Sequence, residues 1–331
     1  MSMSIKAREH VRRPPRYLGS NPKTVDEIAT DNKMHLGKSR QNMSKDTQHI
    51  TMRVPTLREI ASNRNAVDME LHRQFLEVLA QTPPTPYLVV IPAFNEAESL
   101  PYVASRLPGE INGHLPLYLV IDDGSTDATA EVGRANGLAV ISSPVNRGQG
   151  ATLKAGYLEA ITSNFSIVAI VDADGQWDPQ DLEAVMKPVI IGEATISQGS
   201  RALGESRVGD KFRDLGVVFF ATLIRALTTT KLTDTSSGIR AMSVELLSRL
   251  RLTQPQYQSS ELLIGALLNG GRLAEVPVTM EARYAGESKK GRNLSYAFSY
   301  SKAVIGTAIR EHYYNRPTLL KGRRSLASNN L

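Results

Sequence analysis

From Tyr87 onward, short apolar runs rich in β-branched residues alternate with longer segments of helical period, and few folds accept that rhythm. Strands of this kind, separated by helix-length segments, pair in parallel with helices covering both faces of the sheet. The spacing predicts strands at Tyr87–Ile91, Leu117–Ile121, Ala139–Ser142, Ile167–Val171 and Thr195–Gly199. It predicts helices near Ala97–Leu107, Ala128–Asn136, Gly150–Ser163 and Pro179–Ile191, then a long one over Asp210–Thr229. Shorter helices follow near Val244–Leu250 and Ser260–Asn269, and a last one over Leu294–His312. The fold class is therefore α/β with a mostly parallel sheet.

In open sheets of this class ligands bind outside the carboxyl ends of the strands, and there the sequence concentrates its polar residues. Pro92-Ala93-Phe94-Asn95-Glu96 follows the first strand, and Asp122-Asp123-Gly124-Ser125-Thr126-Asp127 the second. Asn146-Arg147-Gly148-Gln149-Gly150 follows the third, and Asp172-Ala173-Asp174-Gly175-Gln176 the fourth. Two acids as close as Asp172 and Asp174 repel unless a cation sits between them. A hard divalent ion with oxygen ligands, Mg²⁺ or Mn²⁺, suits them; a solvated turn with an N-cap is the plainer alternative. Turn chemistry, with Ser125 or Thr126 capping the next helix, explains part of the second cluster but not its two consecutive acids. The third cluster combines a helix start with Arg147, an anion site by chemistry. It matches neither the P-loop nor the dinucleotide fingerprint.

The 331-residue chain carries a net charge of +6 and no cysteine, which excludes disulfides, zinc-thiolate sites and a cysteine nucleophile. Neither a signal-peptide core nor an apolar run of membrane-spanning length occurs, so a cytoplasmic location, at the cytoplasmic face of a membrane or free of it, is expected. Residues 1–86 hold 14 Lys+Arg against 9 Asp+Glu. Residues 1–50 read as a flexible, disordered basic leader, and residues 51–86 as a helical segment with a proline-rich linker. Leu57, Ile60, Leu71, Phe75, Val78 and Leu79 are its candidate buried positions. A basic arm can hold an anionic membrane or nucleic acid, but this one lacks interleaved aromatics and any nucleic-acid motif, so no nucleic-acid partner is expected. Residues 87–292 form the catalytic domain on this reading, and 293–331 an amphipathic helix with a basic tail. That helix puts Leu294, Ala297, Phe298, Val304, Ile305 and Ala308 on one face, for a membrane surface, the core or a homodimer partner.

The order of the rim clusters resembles the family 2 glycosyltransferases with a GT-A (Rossmann-like) fold, and more narrowly the dolichol- and polyprenyl-phosphate sugar synthases. The narrower likeness rests on Gly199-Ser200-Arg201, Asp234-Thr235-Ser236-Ser237-Gly238-Ile239-Arg240 and Arg283-Tyr284-Ala285-Gly286-Glu287-Ser288-Lys289. The resemblance implies that Pro92, Phe94 and Glu96 line the nucleotide of a UDP- or GDP-sugar donor, with Phe94 where the family usually has tyrosine. It implies that Asp123 reads the nucleobase edge, as a carboxylate can for an imino N–H, and that Arg147 borders the base and diphosphate. Asp172, Asp174 and Gln176 correspond to the metal shell. Arg201, Arg283 and Lys289 correspond to cations that hold an acceptor phosphate, with Arg207, Lys211 and Arg213 as further candidates.

The chemistry so implied is metal-dependent hexose transfer to a polyprenyl phosphate. A phosphate is already anionic and can attack the anomeric carbon without a protein base, inverting it in one displacement. The alternatives are a soluble glycosyltransferase with a small-molecule or glycan hydroxyl acceptor, and a nucleotide-sugar-binding protein without catalysis. A hydroxyl acceptor needs a base. Glu261 is the candidate, with a helix capping box as its other reading.

Overall fold

The computed structural model describes residues 53–207, 211–254, 257–284 and 294–327, with the side chains of 211–218, 294–298 and 316–327 outside that description. The leader expected over 1–50 also lies outside it. Among the described residues seven strands form one sheet: β1 Tyr87–Ala93, β2 Leu117–Asp122, β3 Ala139–Ser142, β4 Ile167–Val171, β5 Ile196–Ser206, β6 Ile239–Ser243 and β7 Leu273–Met280. Their order across the sheet is β3-β2-β1-β4-β6-β5-β7. All neighbours run parallel except β6, which is antiparallel to both β4 and β5. This is the expected GT-A architecture.

The strands of the first half read as continuous apolar runs because both of their faces are covered. One face packs Leu88, Val90, Leu119, Ile121 and Ile170 against helical residues such as Leu153, Leu158 and Leu263. The other packs Val89, Ile91, Val120, Ala169 and Val171 against Leu100, Leu182, Val185 and Met186. The helix after β3, at Gln149–Thr162, approaches β1 at Gly156, where a β-carbon would lie 2.7 Å from a Val90 methyl.

The strands β6 and β7 were not expected. Arg240 interrupts the first, and Glu275 and Pro277 the second, so neither forms an apolar run. The strand β5 runs to Ser206, beyond the expected Gly199, as a ribbon bulged against β7 and exposed from Ala202 on.

The boundary drawn at Tyr87 does not survive. Residues 54–82 form two helices, α1 Leu57–Ala61 and α2 Ala66–Leu79. The first starts at a Thr56/Glu59 capping box and the second at an Asn65 cap. Leu57, Leu71 and Phe75 are fully buried within the sheet's own core, with Ile60, Val78 and Leu79 packed against it. The last helix also differs from expectation: it extends over Leu294–Ala327. Its buried stripe is Tyr300, Ala303, Val304, Thr307, Ala308 and Glu311. Ile305 is exposed, and with Ile309 and Tyr313 it forms an outer apolar row at fourfold spacing.

Candidate active site

The carboxyl ends of β1, β2 and β4 meet on one rim because these strands are parallel neighbours in register. The loops after β1 and β2 are tied to each other. Asn95, at φ 56°, accepts from the Thr126 backbone N–H at 2.8 Å, and its own N–H donates to Ser125 Oγ at 2.9 Å. Ala97 N–H donates to Asp127 Oδ2 and Glu96 N–H to Thr129 Oγ1. Ser125 and Thr126 therefore serve this tie rather than capping the next helix, whose start at Thr129 has no side-chain cap. Burial acts to raise the Asp127 carboxyl pKa, but the hydrogen bonds from Thr129 and the backbone outweigh it and hold the group below its ordinary value. Of the residues expected to line the nucleotide, Pro92 is buried at the end of β1 and Phe94 half-buried just past it. Glu96 turns back to accept from Ser99 Oγ at 2.6 Å.

Asp123 is 3 % exposed. Its two carboxylate oxygens accept the backbone N–H groups of Arg147 (3.0 Å) and Gly148 (2.6 Å). That fixes its plane and leaves lone pairs for a base edge. Gly148, at φ 87°, opens the helix after β3, and Gln149 Nε2 donates to Asp172 Oδ1 at 3.1 Å. One short loop thus touches both the acid of β2 and the first acid of β4. The Arg147 guanidinium differs from expectation. It donates to Asp68 Oδ1 of α2 at 2.8 Å, so its charge is committed to a carboxylate before any diphosphate arrives.

At the end of β4, Asp174 is buried and pairs with Arg283, Nη2 to Oδ2, at 2.9 Å. Asp172 sits over Gly238, where a β-carbon would collide with its carboxylate and with the Trp177 indole nitrogen. Behind it lies Arg240, fully buried. Burial lowers the Arg240 pKa, opposed by the charges of Tyr157, Asp172, Asp234 and Tyr300. Burial likewise pushes the Tyr157 hydroxyl up to about 12. The loop itself is braced from two sides. Glu281 and Tyr284 donate backbone N–H groups to the carbonyls of Gln176 and Asp174. Tyr102 and Tyr284 stack at 4.9 Å, both against Gly175, and Arg106 grips Asp178 with two nitrogens.

Three expectations need correction. Arg201 is not available to an acceptor: it is 6 % exposed and forked onto Asp234 at 2.8 and 3.0 Å, with Ser236 as a third partner. Glu261 is neither the base nor a capping-box residue. It is buried and accepts from Thr253 N–H, Thr253 Oγ1, Gln254 N–H and Arg310, while its helix, Gln258–Leu268, starts without a side-chain cap. Gln176, expected in the metal shell, also braces its loop: its backbone N–H donates to Asp174 and its amide nitrogen to the Glu281 carbonyl, bonds that do not engage its amide oxygen. Arg147 is the third, as above. Lys289 and the side chains of Lys211 and Arg213 lie outside the described residues, and Arg207 is exposed between Glu205 and Glu281.

Among the described residues no three His, Cys, Asp or Glu side chains converge as a closed metal cage. Two hard carboxylates on an open rim, one already holding a cation, still fit a magnesium-type ion, which takes one or two carboxylates and completes its shell with substrate phosphates and water. Asp172 and Asp174 are the residues that would hold it. No helix among the described residues is long and apolar enough to cross a membrane.

The profile described as Glycosyl transferase family 2 matches residues 88–251. An uncharacterized protein of Methanocaldococcus jannaschii is 32% identical over 219 residues, 63% of this chain and 87% of that protein. Polyprenol monophosphomannose synthase of Mycolicibacterium smegmatis is 31% identical over 224 residues, 63% and 83%. Among solved structures, glucosyl-3-phosphoglycerate synthase of Mycobacterium tuberculosis, in complex with Mn²⁺, UDP and phosphoglyceric acid, superposes with a TM-score of 0.53 at 24% identity. That match covers 75% of this chain and 84% of the synthase. With the sheet order, the acids at the ends of β2 and β4 and these matches together, the chain belongs to the family 2 glycosyltransferases.

Proposed function

We propose that the chain moves a hexosyl group from a UDP- or GDP-sugar, with inversion, to a phosphate-bearing acceptor, assisted by Mg²⁺ or Mn²⁺. The observation that carries this reading is the Asp172/Asp174 pair at the end of β4, with Arg283 on Asp174 and the Arg147–Gln149 loop linking Asp172 to Asp123. When bound, the divalent ion would stabilise the charge that develops on the leaving diphosphate. Asp123 accepts from the base edge, and Arg283 supplies a second positive group beside the leaving oxygens. A prenyl-phosphate oxygen would attack already ionised and need no base, whereas the hydroxyl of a small phosphorylated acceptor would need a base other than the buried, saturated Glu261.

The acceptor has two candidate sources. A small soluble phosphorylated molecule is favoured by the likeness to glucosyl-3-phosphoglycerate synthase, whose structure holds phosphoglyceric acid. A prenyl phosphate is favoured by the mannose synthase relative. The outer row of Ile305, Ile309 and Tyr313 would suit a peripheral position at a bilayer. A screen of labelled UDP- and GDP-sugars with Mg²⁺ or Mn²⁺ tests both. Phosphorylated small acceptors give aqueous product and short prenyl phosphates give organic-phase product, and NMR of either reads the anomeric configuration. Transfer that survives both chelation and Asp174→Ala would sink the metal-site assignment. Failure of every donor to bind would sink the reading as a whole.

A further inference from the structure

The helix α2 lies before the family match, which begins at residue 88, yet it holds both ends of the loop that contacts Asp123. At the start of the loop, Gln74 reads Ser142 as a neighbouring strand would: its Oε1 accepts from Ser142 N–H at 2.8 Å and its Nε2 donates to Ser142 C=O at 3.1 Å. The strand β3 is the edge of the sheet, and its outward peptide groups would otherwise need water. At the far end, Asp68 takes the Arg147 guanidinium at 2.8 Å. Asp68 is itself 4 % exposed and oriented by Asn65, whose Oδ1 accepts from its N–H and whose Nδ2 donates to its Oδ2. Between these points the loop lies against Gly124 so closely that a β-carbon there would meet the Val145 carbonyl carbon at 2.8 Å. The helix α2 and the turn before it are in turn pinned to the helix after β3: His72 of α2 and Arg64 of the turn both reach the fully buried Glu159.

We infer that Asp68 and Gln74 are positioning residues for the nucleotide donor, and that α2 is the outer wall of the donor site. The inference rests on the proposed donor class. Asp123 can present a fixed edge to a base only while the Arg147 and Gly148 N–H groups hold its carboxylate. Those N–H groups stay in place because the loop is held at Ser142 and at Arg147. Asp68 also decides what Arg147 does. A guanidinium on a buried carboxylate is an anchor; without that carboxylate it turns toward solvent or diphosphate and the loop loses its far attachment.

The test is calorimetric binding of UDP and of GDP, with Mg²⁺, to the full chain and to Asp68→Asn, Gln74→Met, Arg147→Gln and the Asp68→Asn/Arg147→Gln double variant. Circular dichroism melting establishes that each is folded. The expected result is a Kd for the bound nucleotide raised about tenfold in Asp68→Asn, with kcat at saturating donor within about twofold and KM carrying the change. Removing Asp68 should cost nothing further once Arg147 is Gln, because the two act through one contact; a general packing role for Asp68 would add to the Arg147 loss. An unchanged or tighter Kd in folded Asp68→Asn, or in folded Gln74→Met should Asp68→Asn not fold, overturns the role of α2. Absence of binding by the unaltered chain instead removes the donor reading, and this inference with it.

Discussion

Asp174 and Glu261 are both buried carboxylates, each bonded to an arginine, and their surroundings assign them opposite work. Asp174 sits on an open rim with a single described cation, Arg283, on it. Glu261 is saturated by two backbone N–H groups, a hydroxyl and Arg310. Asp174→Asn is expected to lower turnover at least a hundredfold with a smaller loss of melting temperature than at Glu261, because the Arg283 it pairs with keeps a quarter of its side chain in water, as steady-state kinetics beside thermal melting will read. Glu261→Gln should do the reverse. Breaking a buried pair costs up to about 3–5 kcal/mol, offset here in part because Arg310 also pairs with Glu311 at 3.0 Å, so denaturant unfolding should show a clear loss while kcat per folded molecule stays near normal. Gly238→Ala is a third case. Its β-carbon would enter the space of the Asp172 carboxylate and the Trp177 ring. Activity should drop at least tenfold, and the emission of the sole tryptophan should change.

The loop from Asp174 to Asp178 is placed by three elements that are remote in sequence: the helix Leu100–Arg106, the end of β7 and the segment to Tyr284. Its outer clamp is ionic. Burial acts to raise the Asp178 pKa, but the hydrogen bond and charge of Arg106, with the Gln180 N–H, hold it below its ordinary value. A depressed folded-state value contributes stability that is full above the unfolded carboxyl pKa of about 3.9. That stability is lost as pH falls through the folded value. Acid unfolding followed by tryptophan emission should therefore begin at higher pH in Arg106→Gln than in the unaltered chain. Coincident curves would deny the clamp this role.

Across the whole molecule, the helices α1 and α2 share the core of the sheet rather than standing apart from it as a linker segment. Leu57, Leu71 and Phe75 are fully buried, and each buried side chain of this size contributes roughly 1.5–3 kcal/mol. Marginal domains are stable by only about 5–15 kcal/mol in all. A chain begun at Pro83 should be insoluble or molten, and one begun at Val54 folded, as circular dichroism and size-exclusion chromatography will show. Recovery of a cooperatively folded, nucleotide-binding protein from Pro83 onward would refute the integral role of these helices.

The sequence by itself determined what is local and periodic. Apolar runs bounded by turn residues named the strands from Tyr87 to Val171 closely, because both sheet faces bury side chains and the run is the signal. Acids at strand ends marked Asp123, Asp172 and Asp174, since the rim position follows from strand direction alone. The tertiary structure decided everything that depends on partners distant along the chain. It reversed β6, whose Arg240 breaks any apolar run, and it sent Arg201 inward to Asp234 and Glu261 to Arg310. A charged residue's availability depends on which opposite charge the fold brings to it, and no spacing in the sequence reports that. The same holds for Asp68 and Gln74: on one helix they look like ordinary solvent-facing polar residues, and only the packing of α2 on the edge of the sheet brings them to the loop that orients Asp123.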